Sequence, residues 1–274
     1  MRFGRFVLLL ALSTGCTEIG PPEFTEGLTL GGVFIDAETL NHGRASYNRY
    51  CSSCHGLYGD GRGPVGYQQD PPARDFRHGI VKYAGVMAGS LPTDDDLRSI
   101  IRDGLVGTGM LPWRVPDDEL DAVVHYIKTF SPRWREDTPG EPIELPKDPW
   151  LPDMDAAKVR GQIVYHTILR CPACHPAYLD RETIAELHPN GAPDWLRDDL
   201  HTGVTRESLF GHLTAPDFKV RALRTEGTPE MLYRSIAAGL GGTPMPTWQG
   251  AVSDEDLWAV VHYVCALLPP NSVK

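Results

Sequence analysis

Cys51-Ser-Ser-Cys54-His55 and Cys171-Pro-Ala-Cys174-His175 constrain this chain more than anything else in it. In each, two thiols stand about one helical turn apart, and the following residue carries an imidazole. Thiols at that spacing can add across the two vinyl groups of one porphyrin while the histidine takes the iron, and C-x-x-C-H is the attachment signature of a c-type haem. The competing readings are two structural disulfides or half of a Cys-rich zinc site. A zinc site would want four thiolates or a Cys/His mixture at closed spacing. Here the pairs lie far apart and each brings its own histidine. The expectation is two covalently bound haem c groups, each supplying a large apolar plate, so that each surrounding unit needs little side-chain core of its own.

The two motifs sit in an internal repeat. Gly43-Arg-Ala-Ser-Tyr47 precedes the first, and Gly161-Gln-Ile-Val-Tyr165 precedes the second. Further on, Leu97–Trp113 parallels Leu232–Trp248: an Arg-Ser-Ile turn, then Gly-Leu, then a glycine-rich loop holding one methionine, then tryptophan. Thr93, and Thr228 ahead of Pro229, are N-cap candidates for the helices that lead into these loops. Each unit closes on Val-Val-His-Tyr, with Leu120, Val123, Val124 and Ile127, and then Leu257, Val260, Val261 and Val264, at helical spacing. Ser253 with Asp256 resembles a capping box. Six prolines between positions 132 and 152 mark a semi-stiff linker. No strand-period segment of any length is evident. The predicted fold class is all-α: two tandem helical domains at 36–132 and 156–270, joined by a Pro-rich linker at 133–155.

Each unit resembles a class I cytochrome c domain, in its early C-x-x-C-H, its late methionine loop and its closing aromatic helix. The resemblance implies that the first helix crosses the last, with Gly43 and Gly161 under Tyr126 and Tyr263. It also implies that the carbonyl of Pro64, in Gly59-Asp-Gly-Arg-Gly-Pro64, accepts the Nδ1 proton of His55. The second unit lacks that loop and is longer between Cys174 and Met245, its extra residues including Asp194 to Asp199. Asp75-Phe76 and Asp217-Phe218 recur in both units, and the two phenylalanines are expected in the core.

Iron held by one histidine has a second axial position. Met110, in Gly107-Thr-Gly-Met-Leu-Pro-Trp113, and Met245, in Gly242-Thr-Pro-Met-Pro-Thr-Trp248, stand on loops stiffened by glycine and proline, where a core methionine has no reason to be. A neutral thioether favours the reduced iron and raises its potential. The expected metal ligands are therefore His55 with Met110 and His175 with Met245, with Trp113 and Trp248 packed beside the porphyrins. His78, His201 and His212 compete as sixth ligands. His125 and His262 read as exposed or hydrogen-bonded helix residues.

Arg2 and Arg5 followed by an apolar run from Phe6 to Leu12 read as an export signal over residues 1–15. Ser13-Thr-Gly-Cys16 resembles a lipobox, which makes Cys16 the lipidation site and residues 16–35 a flexible tether. Of the six cysteines only Cys265 is then left over, read as a small buried hydrophobe or an intermolecular partner. The net charge of −10 and the absence of a basic patch exclude nucleic acid as a partner and suit redox proteins with basic docking faces. The resemblance implies electron transfer, not bond chemistry. The expected setting is the periplasm or the outer face of a bacterial membrane, as a relay between redox partners in a respiratory-type chain. A subunit of a membrane-bound oxidase or dehydrogenase is the alternative, and a dihaem peroxidase-like enzyme a further one.

Overall fold

Two helix crossings organise the chain. In the computed structural model, which describes residues 20–188, 190–221, 223–224 and 228–270, α1 (Ala37–Tyr50) packs across α4 (Asp117–Lys128). They meet at Gly43, where any Cβ would overlap the carbonyl oxygen of Ala122 and press on Cβ of Tyr126. Only hydrogen at Cα lets the two backbones come this close. The second unit repeats the device. There α6 (Met154–Ile163) crosses α9 (Asp254–Leu267) at Gly161, against Ala259 and Tyr263. Both crossings are as the resemblance implied.

Short helices hang on this frame: α2 (Ser52–His55), α3 (Asp94–Asp103), α5 (Arg133–Glu136), α7 (Arg181–Leu187) and α8 (Pro229–Ala238). Thr93 caps α3 in a full capping box with Asp96, and Thr228 caps α8. Ser253 caps α9 by accepting from Asp256 N. The Asp256 carboxylate is taken instead by a bidentate pair with Arg160 at 2.7 and 2.9 Å, which pins α6 to α9. The predicted apolar stripes of α4 and α9 are buried throughout. Each belongs to one of two large core clusters, one built on Tyr47, Leu97, Val123 and Tyr126, the other on Tyr165, Tyr233, Leu257 and Val261.

The fold departs from the all-α expectation at two antiparallel hairpins, β1–β2 (Leu28–Leu30, Val33–Ile35) and β3–β4 (Thr205–Ser208, Gly211–Thr214). Strands of three or four residues are too short for a two-residue period to show in sequence. The first hairpin also corrects the flexible tether, as far as its residues are described. Leu30 and Ile35 are buried in the first core, Phe24 packs edge-on to Tyr126, and Asn41 exchanges two hydrogen bonds with the Phe24 backbone. The export signal and Cys16 lie outside the described residues.

The proline-rich segment is docked along its length. Trp134 is buried in the first core, and Gly140 N donates to Leu91 O. Ile143 belongs to the second core, and its N–H donates to Gly85 O. Beyond it, Pro146 O accepts from Trp258 Nε1, Trp150 Nε1 donates to Glu255 O, and Asp148 meets His262 at 2.7 Å. Prolines lack donors, but their carbonyls still accept. Among the described residues no helix is long and apolar enough to cross a membrane. Replacing Gly43 or Gly161 by alanine should cost about 1–3 kcal/mol through overpacking, despite alanine's better helix propensity. Denaturant unfolding of the full chain measures it.

Candidate haem-binding sites

Each C-x-x-C-H segment is held by the helix before it. Tyr47, four residues after the crossing glycine, donates its hydroxyl to Gly56 O at 2.7 Å, and Tyr165 does the same to Pro176 O at 2.9 Å. In both cases the acceptor is the residue just after the histidine. The glycine and the tyrosine of Gly-x-x-x-Tyr therefore serve one end: the first lets the helices touch, the second ties the cysteine-bearing segment to that contact. No disulfide joins the four motif cysteines.

The two histidines are oriented alike. His55 Nδ1 lies 3.0 Å from Arg74 O, and His175 Nδ1 lies 3.1 Å from Pro216 O. With Nδ1–H donated to a carbonyl, Nε2 is left as the neutral lone pair an iron requires. Burial lowers both imidazoles below the ordinary histidine range, which favours the same neutral form. The Pro64 assignment is thereby corrected. The turn at 63–65 folds back on Ser53 and Cys54, and the Pro64 carbonyl accepts from Gln68 Nε2 instead.

The orienting carbonyl comes in both units from the residue before Asp-Phe. The phenylalanine then stacks on the imidazole: Phe76 on His55 at 4.4 Å and 22°, Phe218 on His175 at 4.9 Å and 18°. This X-Asp-Phe clamp was present as a recurrence in the sequence, but its partner was not evident there.

The methionine loops share one backbone design. Thr108 Oγ1 donates to Leu105 O and accepts from Met110 N, and Leu105 N donates to Met110 O. Thr243, Leu240 and Met245 repeat all three bonds. Gly107 and Gly242, at φ +68° and +71°, supply the left-handed turn. The hydroxyl thus fixes the methionine backbone, a role the shared Gly-Thr-x-Met carried in sequence.

In the second unit these parts line one cavity of about 370 Å³. Cys171, Cys174, His175, Phe218, Met245 and Trp248 all face it. His175 is the one imidazole in its lining; His201 bonds Ala177 O, and His212 lies on exposed β4. The lining is mostly apolar and, among the described residues, carries three cations (Lys82, Arg170 and Arg206) and no carboxylate. That chemistry fits a flat apolar ligand with anionic tails. In the first unit Cys51, Phe76 and Met110 pack against one core, His78 lies by Asp75, and Trp113 stands 40% exposed beside Tyr50.

The extra residues of the second unit also act on its motif. Arg197 donates to Pro172 O, His175 O and Thr202 O, bracing the C-x-x-C-H backbone that the first unit braces with its glycine-rich loop. Leu196 and Leu200 anchor it in a small cluster with Ala177 and Ile184. Beneath lies a buried polar chain. His166 donates from Nδ1 to Gln162 O and accepts the Tyr178 N–H at Nε2, and the Tyr178 hydroxyl joins Asp217 to Phe218 N.

A helical frame with paired thiols, a carbonyl-fixed imidazole and a thioether loop defines a covalent haem protein. A family model described as "Cytochrome C oxidase, cbb3-type, subunit III" matches residues 38–127 and again 156–264. The chain belongs to that family: it is a tandem c-type cytochrome, with covalently bound haem c and a part in electron transfer. Among solved structures it is similar to a chain of the Kuenenia stuttgartiensis reducing HAO-like protein complex Kustc0457/Kustc0458, with 28% identity and a TM-score of 0.67. That match covers 83% of this chain and 96% of the other. No curated protein matches.

Burial lowers His166 to about 4. Between that value and 6.5 the unfolded chain binds more protons than the folded one, so stability should fall as pH drops through this window. Denaturant midpoints at pH 4–7 should show the slope, and His166→Gln, which keeps an acceptor for Tyr178, should flatten it.

Proposed function

We propose that this chain carries two haems, each bound by His and Met, and relays single electrons between redox partner proteins. His55 with Met110 and His175 with Met245 are the assigned ligands, and Cys51 with Cys54 and Cys171 with Cys174 the attachment points. When bound, haem iron supplies one-electron exchange. The protein fixes the neutral imidazole through Arg74 O and Pro216 O, stiffens the thioether loop through Thr108 and Thr243, and screens the Phe-stacked histidines from water. With His and Met at each haem, no ligand position would be left for a substrate, and the bound group would carry charge and not atoms. The observation that carries the reading is the duplicated site: the tyrosine tie to the motif, the carbonyl on the histidine Nδ1 and the threonine brace of the methionine loop recur in both units.

The proposed setting is the periplasm or the outer face of a bacterial membrane, with the chain exported by residues 1–15 and held by lipid on Cys16. Service as a fixed subunit is favoured over free shuttling. The family is described by an oxidase subunit, and the similar solved chain comes from a complex whose printed name pairs two components. The partner would be a membrane-bound oxidase or dehydrogenase, or a comparable redox enzyme.

A pyridine haemochrome assay should return two haems per chain, and a potentiometric titration two positive midpoints. Met110→Ala and Met245→Ala should each lower one midpoint, weaken the near-infrared band of the oxidised protein and admit carbon monoxide to one haem. Variants that leave band and potentials untouched would remove the His/Met assignment.

A further inference from the structure

The cavity of the second unit is lined in part by the first. Lys82 belongs to the segment after the Asp75-Phe76 clamp, yet its side chain faces the same space as His175 and Met245. The backbone carries it there. Ala88 N donates to Ala238 O at 2.9 Å, and the Val81 carbonyl lies against Gly241, so residues 81–88 run beside the start of the Met245 loop.

Two more cations gather at this seam. The Arg74 guanidinium sits 3.4 Å from the centre of the Phe210 ring, at the tip of the β3–β4 hairpin. Arg224 donates to Gly107 O and accepts the Val106 N–H, so the second unit in turn clasps the Met110 loop of the first. None of the three has a carboxylate oxygen within 4.0 Å among the described residues. Burial, with Arg224 and Arg74 nearby, pushes Lys82 down to about 8. An ammonium desolvated beside two guanidiniums is costly unless an anion joins them.

We propose that Lys82 of the first unit binds a propionate carboxylate of the haem held by the second, so that each haem's surroundings include residues of the other unit. This rests on the dihaem reading above. Haem brings two carboxylates to a cavity whose lining, among the described residues, offers cations and no acid. A cation held there stabilises the reduced iron relative to the oxidised iron, which carries one more positive charge. Lys82 therefore raises the potential of the second haem alone.

The test uses the full chain loaded with haem. Lys82→Met should lower one of the two midpoints, by about tenfold in the reduction equilibrium or about 59 mV for one electron, and leave the other in place. Lys82→Arg should restore it. Loss of one haem from Lys82→Met but not from Lys82→Arg would support the same assignment, because the two differ in charge. No shift, an equal shift of both midpoints, or haem loss from both variants would overturn it. So would a wild-type midpoint that tracks added inorganic phosphate, which would assign the cations to a free anion. A haem count below two in the wild type would instead strike the dihaem reading itself.

Discussion

Backbone contact between two helices at a glycine is the constraint on which each unit depends. At Gly43 and Gly161 the first helix touches the carbonyl side of the last. The tyrosine one turn later is thereby placed under the C-x-x-C-H segment with its hydroxyl at hydrogen-bond distance. A side chain at the crossing would lift the first helix off the last, and the tyrosine with it. The cysteines and the histidine would then lose their fixed relation to the methionine loop, which is anchored through Trp113 N on Ile101 and Trp248 N on Ala237. Fold stability and ligand placement are consequently one property in this architecture.

What the sequence made legible was local. Gly-x-x-x-Tyr, C-x-x-C-H, the Thr93 and Thr228 caps and the apolar stripes of α4 and α9 each state their role within a turn or two of chain. The partner of the histidine Nδ1 was not legible in that way. Arg74 lies 19 residues beyond His55 and Pro216 lies 41 beyond His175, so which carbonyl arrives depends on how the intervening loop is routed. The loops differ, yet X-Asp-Phe ends both. The aspartate braces the turn, as Asp75 does through Arg77 N and Asp217 through Lys219 N, and the phenylalanine covers the ring. The proline-rich segment, read as a semi-stiff linker, has contacts that its sequence did not state. Its missing donors limit its own hydrogen bonding, and its carbonyls and its tryptophans, Trp134 and Trp150, dock it.

The two units solve the same problem with different parts. The first supports its motif from one side with a tight turn, in which Gly61 N and Gly63 N donate to His55 O and Cys54 O. The second has no such turn and uses the Arg197 guanidinium, which donates to Pro172 O and His175 O of the motif and to Asp199 O and Thr202 O beside it. A guanidinium presents a fixed fork of donors, so one side chain can replace a run of backbone N–H groups. The longer stretch between Cys174 and Met245 is therefore structural support for the motif, at least through Arg197.

Charge is distributed against the average. The chain is acidic overall, yet the second cavity and the seam beside it collect Lys82, Arg170, Arg206, Arg74 and Arg224. Acidic residues cluster instead at helix starts, as in the first turns of α3, α4 and α9, where they answer the helix dipole. Negative charge thus gathers at exposed helix starts while positive charge gathers at the cavity and the seam. A cation contributes to the local field only where water does not screen it, and the seam between the units, where Lys82 is desolvated, meets that condition. On the proposed reading, the repeat does more than double the number of sites: two units side by side form the seam through which Lys82 of one would act on the haem of the other.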